Sequence, residues 1–317
     1  MKTVEWWLSA VSWWCLTSAA PGALFLVWEE DLRGVATDWG KLDGEINSLG
    51  GSMRAVWADR QGDRIILFVR AETAHNLSEF LVHEAYGQLK GPMGRWNLTL
   101  GRVRLPWGLL TDWSPDRLPH NSPYTGTRML DSDNGLGWHG TVGSWDYGLA
   151  LTQGYGMQDV EEFPGPGLVT GRIGFTPDES GDITVGLSLS GGTVHSSEER
   201  PHESHGIEEK RIAASLDGTL RLGRGVYRFE GGARRTQEEW RATAFVTADY
   251  ALMPKTVLQF AGQLYQTDKS DATGWVYAGL AVPLASVTIR VGYQYEPAET
   301  DQHKVVVQLY RYMAVSR

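Results

Sequence analysis

Between Asp131 and Tyr295 the chain repeats one pattern: apolar side chains at every second position over stretches of about ten residues, separated by short turns and longer polar loops. Val287, Ile289, Val291, Tyr293 and Tyr295 share one face of an extended segment, and Thr288, Arg290, Gly292, Gln294 and Glu296 share the other. Trp240, Ala242, Ala244, Val246, Ala248 and Tyr250 alternate in the same way with Arg241, Thr243, Phe245, Thr247 and Asp249. The rhythm returns in Ile183, Val185, Leu187 and Leu189, and again in Trp145, Tyr147, Leu149 and Leu151. Alternation alone fits two architectures, a soluble sandwich with its apolar face inside or a membrane barrel with its apolar face outside.

Strand centres are predicted at Gly34, Arg54, Leu67, Val82, Leu98, Trp138, Leu149, Ile173, Leu187, Ala214, Phe229, Phe245, Phe260, Leu280, Ile289 and Val307. Connections near Ser144, Ser180, Leu222, Met253 and Ala285 read as tight, whereas 110–128, 158–167, 195–208, 268–272 and 297–302 read as longer. Short and long connections alternate in order, as they do in outer-membrane barrels and as a sandwich has no reason to do. The expected fold is therefore all-β, a single-chain antiparallel transmembrane β-barrel of about 16 strands, with 14 as the alternative count.

Composition agrees once the barrel is in view. The 317 residues carry a net charge of −9 and a mean hydropathy of −0.29, with no helical span beyond the first thirty or so residues. Lumen-facing polar residues dilute a lipid-facing band, so this low mean does not argue for a soluble protein. Among the 14 Trp and 12 Tyr, Trp96, Trp145, Trp240, Tyr250 and Tyr295 fall near predicted strand ends, where interfacial girdles sit. Lys2, an apolar run over 6–16 and the small residues Ser18, Ala19 and Ala20 read as a secretory signal over 1–22, leaving 23–317 as one barrel domain. Cys15 is the only cysteine and lies inside that signal, so no disulfide, thiol nucleophile or c-type haem attachment is expected.

The run Gly101-Arg102-Val103-Arg104-Leu105-Pro106-Trp107-Gly108, followed by Trp113-Ser114-Pro115-Asp116 and Asn121-Ser122-Pro123, resembles a stretch of Gram-negative outer-membrane porin-type barrels. There a strand with Gly-Arg-x-Arg and an aromatic-Gly pair leads into a long loop. The resemblance implies an antiparallel outer-membrane barrel passing small solutes. One departure is the end of the chain, where Tyr312 is followed by Met313, Ala314, Val315, Ser316 and Arg317 instead of closing on an aromatic residue. Residues 106–130 are long enough to fold inward as a constriction or to lie outside as a flap.

Trp96, Leu98 and Leu100 face lipid in this reading, and strict alternation would send Arg102 and Arg104 there too. A mid-bilayer charge on that face costs about 2–4 kcal/mol, so a register slip at Gly101 is expected, turning both arginines inward and Val103 and Leu105 outward. The expected pore lining is then Arg102, Arg104, Arg172, Arg228, Arg241, Arg290, Glu230 and Asp249, with Arg102 and Arg104 at the constriction. Arginine outnumbers carboxylate among the inward positions, which favours anions weakly. Pairing between neighbouring strands would instead spend these charges on register.

Glu161, Glu162, Glu198, Glu199, Glu203, Glu208 and Glu209 fall in external loops, as a solvated surface or as ligands of cations that bridge lipopolysaccharide. His195, His202 and His205 share one such loop, but no metal or cofactor is assigned. Neither His120-Asn121-Ser122 nor His139 near Asp146 makes a convincing hydrolase centre, so no enzyme is expected. No basic run suggests nucleic acid. The expected protein is a bacterial outer-membrane pore for small hydrophilic solutes, in contact with lipid and lipopolysaccharide and able to pair with itself or another envelope protein. Alternatives are a barrel sleeve for a partner such as an electron-carrying cytochrome, or an outer-membrane hydrolase.

Overall fold

The computed structural model describes residues 22–109, 130–156, 167–195 and 208–316, apart from 39–40, 61, 75, 179, 238 and 298–301. The expected signal segment and most of the long loop before Leu130 lie outside these residues. Among them run sixteen strands. In chain order they begin with β1 Ala23–Thr37, β2 Lys41–Asp59, β3 Gly62–Ala74, β4 Glu79–Lys90 and β5 Asn97–Arg104. They continue with β6 Ser132–Val142, β7 Trp145–Thr152, β8 Leu168–Phe175, β9 Ile183–Val194, β10 Glu209–Leu222 and β11 Gly225–Arg235. The last five are β12 Trp240–Met253, β13 Thr256–Thr267, β14 Ser270–Leu284, β15 Val287–Glu296 and β16 Gln302–Ser316.

Each strand pairs antiparallel with its neighbours in sequence, and β1 pairs with β16, so the sheet closes without an edge. Closure is what lipid demands, because an open edge there would leave backbone N–H and C=O groups without partners. Every predicted strand centre falls in its own strand. Two connections differ: the one near Ser180, read as tight, spans 176–182 between β8 and β9, and 268–272, read as a longer loop, is a turn of residues 268–269 between β13 and β14. The polar run Asp268-Lys269-Ser270-Asp271 suggested a loop, but β14 starts within it because its first residues extend the hairpin beyond the apolar band.

The two faces differ as the alternation requires. Along β9, Val185, Leu187 and Leu189 stand exposed on the outside while Ser188 and Ser190 are buried inside. Along β15, Val291 and Tyr293 are exposed, and Arg290 and Gln294 are buried. Exposed Trp96, Trp145, Tyr227, Tyr250 and Tyr312 mark the end with the short turns, and Phe80 and Trp240 mark the end with the long loops. Such a belt would be untenable in water and is the expected surface of a barrel in lipid. Glu30 interrupts it on β1, but its carboxylate accepts from Trp28 Nε1 at 2.8 Å and pairs with Arg311 of β16.

Candidate functional site, a segment folded into the lumen

β5 is short, and the chain beyond Arg104 departs from the wall. The Leu105 N–H donates to Asp131 O at 3.0 Å, which holds the two ends of the long connection together. The chain then turns into the barrel. Trp107 is 1% exposed and packs with Leu105, Ala150, Leu168, Val194 and Ala213, so the segment lies against the inner side of the β7–β10 wall. Gly148 makes room for it: a side chain there would meet the Pro106 ring at 2.7 Å. Gly108, at φ 50, donates its N–H to Ser188 Oγ at 2.9 Å, and Leu109 donates its N–H to Glu230 Oε2 at 2.9 Å. Five consecutive residues thus cross from β5 to β9 and β11. Of the two options left open by sequence, the start of this connection takes the inward one.

The expected slip at Gly101 does not occur. Gly101 has φ 129, yet Asn97 and Thr99 stay buried with Val103 while Leu98 and Leu100 stay outside. Val103 and Leu105 are therefore buried, not lipid-facing: Val103 keeps the inward side of β5, and Leu105 belongs to the packing around Trp107 that draws the chain inward. Arg102 keeps the outward side near the long-loop end, where its guanidinium donates to Val82 O at 3.0 Å and Asn134 Oδ1 at 3.4 Å. Those bonds satisfy it without the slip. Arg104, at the very end of β5, bends back to pair with Glu84 at 2.9 Å.

The other predicted lining residues sit on lumen faces, nearly all in pairs. Arg172 bridges Asp146 and Asp217, at 2.7 Å to each. Arg228 pairs with Asp249 at 2.8 Å, and the same carboxylate accepts from Gln259 Nε2 at 3.1 Å. Arg241 pairs with Glu239. Arg290 donates to Gln308 Oε1 at 2.9 Å and lies 5.7 Å from the centre of the Tyr310 ring. Glu230 holds the inserted segment, and Ser215 Oγ donates to its other oxygen at 3.4 Å.

Sequence reasoning missed the acidic side of this ladder on β1. Glu29 accepts from Arg70 and from Tyr310 Oη. Asp31 accepts from Arg33, Asn47 and Gln308. The signal was present, since Glu29, Asp31 and Arg33 alternate with Trp28, Glu30 and Leu32, but Glu30 on the outer face obscures it. His139 meets Gln88 at 3.1 Å while Asp146 engages Arg172, so those two do not form the dyad considered from sequence. The His120-Asn121-Ser122 stretch, His202 and His205 lie outside the described residues, and His195 stacks on Tyr155 with ring centroids 4.2 Å apart.

Under the inserted segment, between β4 and β7–β8, lies a recess of about 410 Å³ bounded by Glu84, Tyr86, Arg104, Trp107, Asp146 and Arg172.

A closed sixteen-strand barrel with short turns at one end, and a segment after β5 folded into its lumen, can be compared with solved structures. The chain has the outer-membrane porin-type fold. The anion-selective porin from Comamonas acidovorans superposes with a TM-score of 0.68 at 13% identity, covering 93% of this chain and 100% of that one. OmpF of Salmonella typhi gives 0.67 at 13% identity, over 92% and 97% of the two chains. A loop-deleted form of OmpT, an outer membrane protein of Vibrio cholerae, gives 0.70 at 12% identity over 92% and 99%. No family model and no curated sequence matches. At such identities the likeness of this porin-type barrel to its neighbours is one of fold.

Proposed function

We propose that this porin-type barrel is a passive pore of the bacterial outer membrane that passes small hydrophilic solutes and acts without enzymatic chemistry. The observation that carries the reading is the division of its wall, apolar outside and lined with charged and hydrogen-bonding groups inside. Arg104, Arg172, Arg228, Arg241, Arg290, Glu230 and Asp249 are the proposed lining. Arg102 drops out, since it points away from the lumen. The inserted segment is the proposed constriction, and it occupies space that a protein partner threaded through the barrel would need.

The anion preference anticipated from sequence depends on arginines in excess of carboxylates. Arg70, Arg104, Arg172, Arg228 and Arg241 all have carboxylate partners, so the field left over is small and selectivity should be weak. The purified protein, reconstituted in planar bilayers, is expected to give stepwise conductance with a reversal potential close to zero in a salt gradient. Absence of steps would overturn the pore. A strongly cation- or anion-shifted reversal potential would overturn the pairing argument.

A further inference from the structure

The recess beneath the inserted segment has a chemistry that a passive pore does not require. Arg104 and Arg172 both reach it, and both are already engaged, by Glu84 and by Asp146 with Asp217. Among the described residues, three carboxylates therefore answer two guanidiniums. The Asp217 side chain is 0% exposed, whereas that of Asp146 is 42% exposed. Asp146 Oδ2 accepts from Arg172, and Oδ1 accepts no hydrogen bond among the described residues. Tyr86 bounds the recess from β4 with its ring supported by Phe68, the centroids 5.3 Å apart. Val103, Leu105 and Pro106 supply apolar surface beside these groups.

We propose that this recess is a subsite for a small organic cation, an ammonium carried on a compact apolar or aromatic body. Asp146 is its counter-ion, Tyr86 offers the ring face, and the inserted segment packs against the body. The volume suits a molecule of that size. Low-dielectric walls strengthen the charge interaction, and an aromatic face adds attraction for a cation. An anion finds no comparable partner, because both guanidiniums are bound to carboxylates. The inference rests on the pore reading, since a solute reaches the recess through the lumen.

The test uses benzylammonium, with benzoate and benzyl alcohol as anionic and neutral probes of the same shape, on single channels of the full barrel. Benzylammonium is expected to interrupt the current at lower concentration than either control. Asp146→Asn should raise its half-blocking concentration roughly tenfold, and Tyr86→Leu several-fold. Benzoate blocking as well as benzylammonium would overturn the subsite, as would unchanged block in a conducting Asp146→Asn barrel. If Asp146→Asn does not assemble, unchanged block in Tyr86→Leu overturns it instead. Calorimetric titration of the detergent-folded barrel with benzylammonium separates the two readings. Binding heat that depends on Asp146, without any conductance, would retain the subsite and remove the pore. Conductance without such heat would do the reverse.

Discussion

Asp217 and Asp59 each form an ion pair with an arginine, and the two should differ in what they contribute. The Asp217 carboxylate is enclosed and meets Arg172 through Oδ1 at 2.7 Å and Oδ2 at 3.1 Å, whereas Asp59 at the end of β2 meets Arg64 near the start of β3 in an exposed pair. Asp217→Ala removes the enclosed, two-point partner of Arg172 and leaves that guanidinium only Asp146, so it is expected to cost about 1–3 kcal/mol. Asp59→Ala should cost less than about 1 kcal/mol. Denaturant titrations followed by tryptophan fluorescence would rank the two, and equal losses would refute the distinction. Glu230→Ala removes the acceptor for Leu109 N–H, so it should loosen the inserted segment, raising single-channel conductance and broadening its distribution. Unaltered current histograms would argue that packing of Trp107 alone holds the segment. At this scale the sequence was half legible: the inward positions of Arg172, Arg228 and Arg290 follow from parity, but which carboxylate meets which arginine depends on stagger between strands.

Among the elements, the strands were the most legible, because a period of two survives any local irregularity that returns to register. What parity could not convey was the fate of β5. The expected slip at Gly101 would have turned Val103 and Leu105 to lipid, yet both keep the inward parity of Asn97 and Thr99, Leu105 packs with Trp107, and the next residues leave the wall altogether. Turn length near Asp268 was misjudged for a related reason, because polar residues beyond the apolar band extend a hairpin as readily as they form a loop. The β14–β15 turn carries a different conflict. Ala285 sits at φ 52, a conformation that costs a residue with Cβ about 1–2 kcal/mol. Ala285→Asn or Ala285→Gly should recover part of that and raise the unfolding midpoint in denaturant, whereas a lower midpoint would show the turn is not strained.

The whole molecule is a sheet with lipid on one side and a hydrogen-bonded lumen on the other, and a substitution should be judged by which solvent it meets. Leu187, 46% exposed on β9, has lipid around it, so Leu187→Arg should cost about 2–4 kcal/mol near mid-bilayer and slow folding into vesicles. Folding of that variant as efficient as the parent would contradict the assigned outer face.

Closure of the barrel also places a condition on time. Asp31 accepts from Gln308 across 277 residues of chain, and Tyr310 reaches Glu29 across 281. Neither bond can form until the last strand has emerged and found the first. Until then two hydrogen-bonding edges face whatever surrounds the chain, and contacts this distant in sequence are slow to gather. The rung that joins Asp31 to Gln308 is thus a record of completion: it exists only in chains that have been synthesised to their sixteenth strand and bent into a full circle.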